Sequence, residues 1–250
     1  MRRAGALALA LPAAAGLGML FYTYLTPPLL DAAWLGRLPW LGGLPGDLPA
    51  YGMRFLASFT LLGVWPFAAA LALGERPASL GLGRPGRLSP GWLFPLLLVV
   101  VAAGGLIGAY NRPIYAYYPY SRTLTESSPG GIGGFGLHAV LYLALYYVPW
   151  EVLFRGILIF PLARLAAGGP FDPRALPRSV LAIAFLQALP ATLLHFGHPW
   201  SETLISLPFG LLLGWLAVRT GSVWPGLALH AGAGLFLDLF ILLRRAGALP

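Results

Sequence analysis

Long apolar runs separated by short, turn-forming stretches dominate the chain. Apolar segments of roughly 20 residues, the length that crosses the hydrocarbon core of a bilayer, fall near 5–25, 53–73, 91–110, 137–166, 179–196, 203–218 and 224–243. The fourth is long enough to hide a break. Proline and glycine mark the connections: "TPPLLDAAWLGRLPWLGGLPGDLPAYG" after the first segment, "GERPASLGLGRPGRLSPG" after the second and "AAGGPFDPRALPRS" after the fourth. No interval between apolar segments exceeds about 30 residues, too few for an independent soluble core. The pattern predicts an all-α architecture, a polytopic transmembrane helix bundle of about seven to eight helices forming one membrane domain over residues 1–250.

Composition agrees with this picture. Of the 250 residues, 58% are hydrophobic and 10% charged, with a mean hydropathy of +0.76, so lipid or other apolar residues must solvate most of the chain. All 16 basic residues are arginine, which reads as genome bias. They are scattered as flanks of the apolar segments and form no run, so the net charge of +8 points to membrane topology and excludes nucleic acid as a partner. With the N-terminus inside, arginines divide nine to six in favour of that side. The expected location is a bacterial inner membrane with a cytoplasmic N-terminus. The opening "MRRAGALALALPAAAGLGML" resembles a signal peptide, but its apolar run continues to Leu25 and is expected to stay as the first helix.

Small residues raise two further expectations. Gly104 with Gly108, and Gly210 with Gly214, have the spacing that lets helices approach closely. "GIGGFG" at 131–136 matches a dinucleotide-binding fingerprint, but no strand precedes it and an apolar helix follows, so it is expected to be a flexible loop.

Ionisable side chains at bilayer depth cost about 2.5–3.5 kcal/mol each on insertion scales, so they mark partners or function. In "PWEVLFRGILIF", Glu151 and Arg155 are four apart and share a helix face, as a structural salt bridge or as part of a site. His195 and His198 close the fifth segment in "ATLLHFGHPW". Glu202 follows in "PWSETLISL", where Ser201 is the expected N-cap and an acid in the first turn suits the helix dipole. His230 sits inside the last segment, with Asp238 eight residues on and about 80° round the helix. The chain has no cysteine, so disulfides and thiolate metal sites are excluded and any metal site depends on His, Asp and Glu. An acid, a basic partner and histidines on separate helices suit a water-activating site: a glutamate deprotonates water while histidines hold a metal or bind the oxyanion.

At these residues the chain resembles the CAAX prenyl protease and bacteriocin-processing (CPBP) family of intramembrane endopeptidases, formerly the Abi family. The family signature is EExxxR, then FxxxH, then HxxxN or HxxxD, each on a different transmembrane helix. The counterparts here are "WEVLFRG" at 150–156, "ATLLH" at 191–195 and "HAGAG" at 230–234, within a core at about 137–243. The resemblance implies hydrolysis of peptide bonds in a membrane-associated peptide or protein substrate, with the lipid bilayer as surroundings. It implies catalytic roles for Glu151, Arg155, His195 and His230, with His198, Glu202 and Asp238 as secondary candidates. A divalent metal such as Zn would be held by His195 and His230 with Glu151.

Departures from the signature bear on the chemistry at two positions. The first glutamate of the pair is Trp150 and the third-motif Asn or Asp is Gly234. Adjacent helical residues point about 100° apart, so Glu151 does not simply fill the place of residue 150; a kink at Pro149 is one way to re-aim it. Asp238, Glu202 or His198 would have to supply what Gly234 lacks. The alternatives are a catalytically inactive relative acting as a membrane scaffold or immunity-type protein, and a small transporter using its buried charges as a relay.

Overall fold

A computed structural model describes residues 2–30, 35, 37–39, 43–126 and 132–250. Ten helices, besides the short 3₁₀ helix Pro77–Leu80, organise the described residues, and no β-strand occurs among them. They are α1 (Arg2–Leu29), α2 (Leu48–Ala72), α3 (Leu93–Ala109), α4 (Arg112–Tyr117), α5 (Arg122–Glu126), α6 (132–157), α7 (Phe160–Ala166), α8 (Arg178–Leu193), α9 (Trp200–Thr220) and α10 (Trp224–Arg245). Among the described residues five spans are long and apolar enough to cross a membrane: Leu9–Pro27, α2, Gly134–Ala166, α9 and α10. Two shorter apolar helices, α3 and α8, complete the seven segments that hydropathy predicts. The chain is an all-helical integral membrane protein.

The fourth segment does break, at Leu158 and Ile159. The Leu158 N–H reaches back five residues to the Leu153 carbonyl at 3.0 Å, and α7 restarts with Pro161 in its first turn, where a missing N–H is harmless.

The expectation of a loop at 131–136 does not hold. Gly131 lies outside the described residues, but α6 begins at Ile132, so the glycines from 133 on are helical. At Gly134 a Cβ would collide with the Leu124 carbonyl of α5, so its missing side chain serves a helix crossing. The small-residue expectation holds on α9, where Gly210 and Gly214 lie against Ala188 and Ala184 of α8. On α3 it shifts by one residue. Gly105 and Gly108 face Leu237 of α10, whereas nothing lies near Gly104.

Helix α6 is the centre of the bundle. In Gly134–Ala166, 78% of the most apolar stretch is buried, against 28–39% in the other four spans. Its aromatic face, with Tyr142, Tyr146, Tyr147, Trp150 and Phe154, packs on Tyr51 and Phe55 of α2 and on Leu227 and Ala231 of α10. Two wide, π-type turns, Leu143–Tyr147 and Val152–Ile157, bracket the single turn Val148–Glu151. Pro149 explains the first: without its N–H the regular bond to residue 145 cannot form, and the Val148 N–H bonds Leu143 five residues back.

Outside the spans, Asp47 ties α2 to α5. It precedes α2 without capping it. Its carboxylate accepts instead from the Ser121 hydroxyl at 2.7 Å and the Arg122 N–H at 2.8 Å. Partial burial pushes the carboxyl up, but bonds from the Ser121 and Thr123 hydroxyls and the Arg122 and Thr123 N–H groups outweigh it and hold it below the ordinary aspartate range.

Candidate active site

Glu151 is fully buried, as its position on the central helix dictates, and Arg155 is 2% exposed one turn later. Their atoms Oε1 and Nη1 approach to 2.9 Å. The same Oε1 accepts from Nδ1 of His230 on α10 at 2.7 Å. Thus one carboxylate oxygen joins a guanidinium and an imidazole. The other, Oε2, has no hydrogen-bond partner among the described residues and faces Gly226, where an added Cβ would lie 3.0 Å away.

A cavity of about 520 Å³ opens beside this pair. Trp150, Arg155, His195, Glu202 and His230 contribute to its wall, and Glu151 does not. The Trp150 indole meets both histidines edge to face, with centroids 5.5 Å from His195 and 6.3 Å from His230. Position 150 therefore lies between the two histidines, and the indole fills that place without supplying an acceptor. His195 follows the end of α8, and its Nδ1 is 2.8 Å from the Ala191 carbonyl. A carbonyl only accepts, so Nδ1 carries the proton and Nε2 holds the free lone pair.

Glu202, in the same wall, forms a second pair with His198. Glu202 Oε1 accepts from the Tyr118 hydroxyl at 2.8 Å and lies 2.9 Å from His198 Nδ1. Its Oε2 is enclosed without a hydrogen-bond partner. Ser201 is not the N-cap: α9 begins at Trp200, directly after Pro199, whose extended backbone already supplies the entry, and Ser201 falls inside the helix. Asp238 does not join the cavity. It is fully buried and meets His138 Nε2 at 2.9 Å, whose Nδ1 lies 2.9 Å from the Tyr51 hydroxyl.

Residues 133–236 match the family model described as type II CAAX prenyl endopeptidase Rce1-like. This segment is similar to the Rce1-like family. No curated protein and no solved structure matches the chain. The Rce1-like segment runs from the start of α6 to the middle of α10 and holds all three sequence motifs on three different elements, around one cavity. It accords with the family named from the motifs, and it supports a CAAX-protease-like membrane endopeptidase at family level.

Within the Rce1-like segment, Gly234 has a physical reason. A Cβ there would fall inside the Tyr147 hydroxyl, whose ring also packs edge to face on His230 at 5.0 Å. Tyr147 thus occupies the room a side chain at 234 would take. Sequence reading passed over Tyr147, Tyr118 and His138. A signal for part of this existed: His138, Tyr142, Tyr146 and Trp150 recur every fourth residue, and their rings form a continuous row at 5.0, 5.1 and 5.4 Å.

A metal held by His195, His230 and Glu151 does not fit these donors. Oε1 of Glu151 already sits between a guanidinium and a protonated ring nitrogen. No group of three His, Asp or Glu side chains among the described residues has metal-binding geometry.

Proposed function

We propose that the protein is an intramembrane endopeptidase that hydrolyses peptide bonds of membrane-associated substrates with glutamate-activated water, its N-terminus in the cytoplasm. The observation that carries this reading is the convergence of Trp150–Glu151–Arg155, His195 and His230 at one cavity inside a bundle, within an Rce1-like segment. The wall formed by Leu97, Val100 and Val101 of α3 is apolar and suits the hydrophobic part of such a substrate. Each polar group has a distinct use there. His195 presents a lone pair on Nε2 that can hold a water molecule. Glu151 accepts the Nδ1–H of His230 and orients the ring, so that Nε2, when it also carries a proton, can donate to the oxyanion formed on the scissile carbonyl. Arg155 pairs with the same carboxylate oxygen.

The enclosure of Glu151 favours a second reading, a catalytically inactive family member acting as a membrane scaffold or immunity-type protein. One experiment separates the two. Purified protein in lipid vesicles is incubated with quenched fluorescent peptides, some with a C-terminal prenylated cysteine and some with a transmembrane segment. Cleavage by wild type that is lost in Glu151→Gln and His195→Ala supports the endopeptidase. Cleavage that survives in both variants removes this site, and no cleavage by any form supports the scaffold.

A further inference from the structure

We infer that Glu202 is the carboxylate that takes the proton from the attacking water, with Tyr118 and His198 as its positioning residues and Glu151 as the positioning partner of His230. The inference rests on the endopeptidase reading above. A general base needs an acceptor atom within reach of the water in the substrate cavity. Glu151 does not offer one to the cavity: it is fully buried and absent from the cavity wall, its Oε1 is shared by Arg155 and His230, and its unpartnered Oε2 faces Gly226 instead.

Glu202 has the opposite set of properties. It stands in the wall with His195 and His230, and its side chain is 20% exposed. Two groups from different elements, Tyr118 and His198, hold Oε1 and leave no partner for Oε2. Unlike the unpartnered Oε2 of Glu151, that of Glu202 belongs to a residue of the cavity wall, so a small side-chain movement brings it to a water bound there. The His195 and His198 rings are 5.4 Å apart, so the free nitrogen of His195 and the carboxylate of Glu202 serve the same end of the cavity. Between His195 and His230 the acceptor-free Trp150 leaves Glu202 as the carboxylate that the wall presents.

The step balances as a hydrolysis. Glu202 accepts one proton from water as the oxygen bonds to the scissile carbonyl carbon. The resulting oxyanion is held by His230. Collapse breaks the carbon–nitrogen bond, and the leaving amine receives the proton from Glu202, which returns to carboxylate.

The test compares wild type, Glu202→Gln and Glu202→Asp on the quenched peptide that wild type cleaves fastest, with Tm measured for each. Loss of a general base lowers kcat by about 10²–10⁴-fold, so Glu202→Gln is expected to lose at least 100-fold in kcat with KM unchanged. Glu202→Asp keeps a carboxylate and is expected to retain at least tenfold more kcat than Glu202→Gln. If both substitutions lower Tm, that difference between Asp and Gln still decides. Equal losses, or Glu202→Gln cleaving normally, overturn the inference and leave the endopeptidase reading intact. Wild-type protein that cleaves no peptide overturns both.

Discussion

Replacing Glu151 by leucine tests whether the buried carboxylate holds the bundle together. Arg155 is 2% exposed, and its Nε and Nη1 already lack aligned hydrogen-bond partners, so Glu151 at 2.9 Å is its principal compensation. At that separation Coulomb's law sets an upper scale of ~6 kcal/mol for an effective dielectric constant of about 20. Removing one partner of a buried pair costs about 3–5 kcal/mol after relaxation. At roughly 2–4 °C per kcal/mol for a chain of this size, the Tm of Glu151→Leu should fall by on the order of 10 °C. His230 adds little to the loss, since its side chain is partly exposed. The second half of the test is Glu151→Leu with Arg155→Met, which removes both charges and keeps apolar volume. This double variant should recover at least half of the lost Tm, since apolar replacement of a whole buried pair is commonly neutral or stabilising. The assay is thermal unfolding in one detergent, followed by circular dichroism. Additive losses from the two substitutions would refute the coupling and, with it, the role of Glu151 as counter-charge.

Three other outcomes follow from the same structure. Gly234→Asn, which installs the family's side chain, should cost about 1–3 kcal/mol by overpacking against the Tyr147 hydroxyl, and Tyr147→Ala in the same chain should recover part of the loss in a thermal melt. His138→Phe leaves Asp238 without its ring partner and should destabilise by ~3 kcal/mol, a loss that Asp238→Leu in the same chain relieves; chemical denaturation in detergent checks it. Asp47 has a folded-state pKa below its unfolded one, so its stabilisation is present above the unfolded value and is lost as pH falls through the folded value. The stability difference between wild type and Asp47→Asn should therefore be flat above ~pH 5 and shrink below about pH 3.9, as measured by melts across that range.

Hydropathy made the helical bundle legible because each apolar segment must satisfy its own backbone in lipid, and the seven segments appear as helices in sequence order. Spacing made Glu151 and Arg155 legible as a pair, since residues four apart meet on a helix. What pairs across helices was not legible. His230 with Glu151 is 79 residues distant and Asp238 with His138 is 100, and no periodicity encodes which buried acid takes which histidine. The loop expected around Gly134 failed for a related reason. Its glycines answer to the neighbouring α5 backbone, a constraint that exists only after packing.

The two wide turns of α6 make the helix adjustable in phase. Each holds about one residue more than a regular turn, and one residue amounts to about 100° of rotation. Gaining or losing such a residue would dial the turn Val148–Glu151 around its axis while the helix stays continuous on both sides. Positions 150 and 151 are one such step apart. A chain built this way can change which of two neighbouring side chains faces the cavity without altering either, so the same "WE" could be presented in two orientations by a single insertion or deletion elsewhere in the helix.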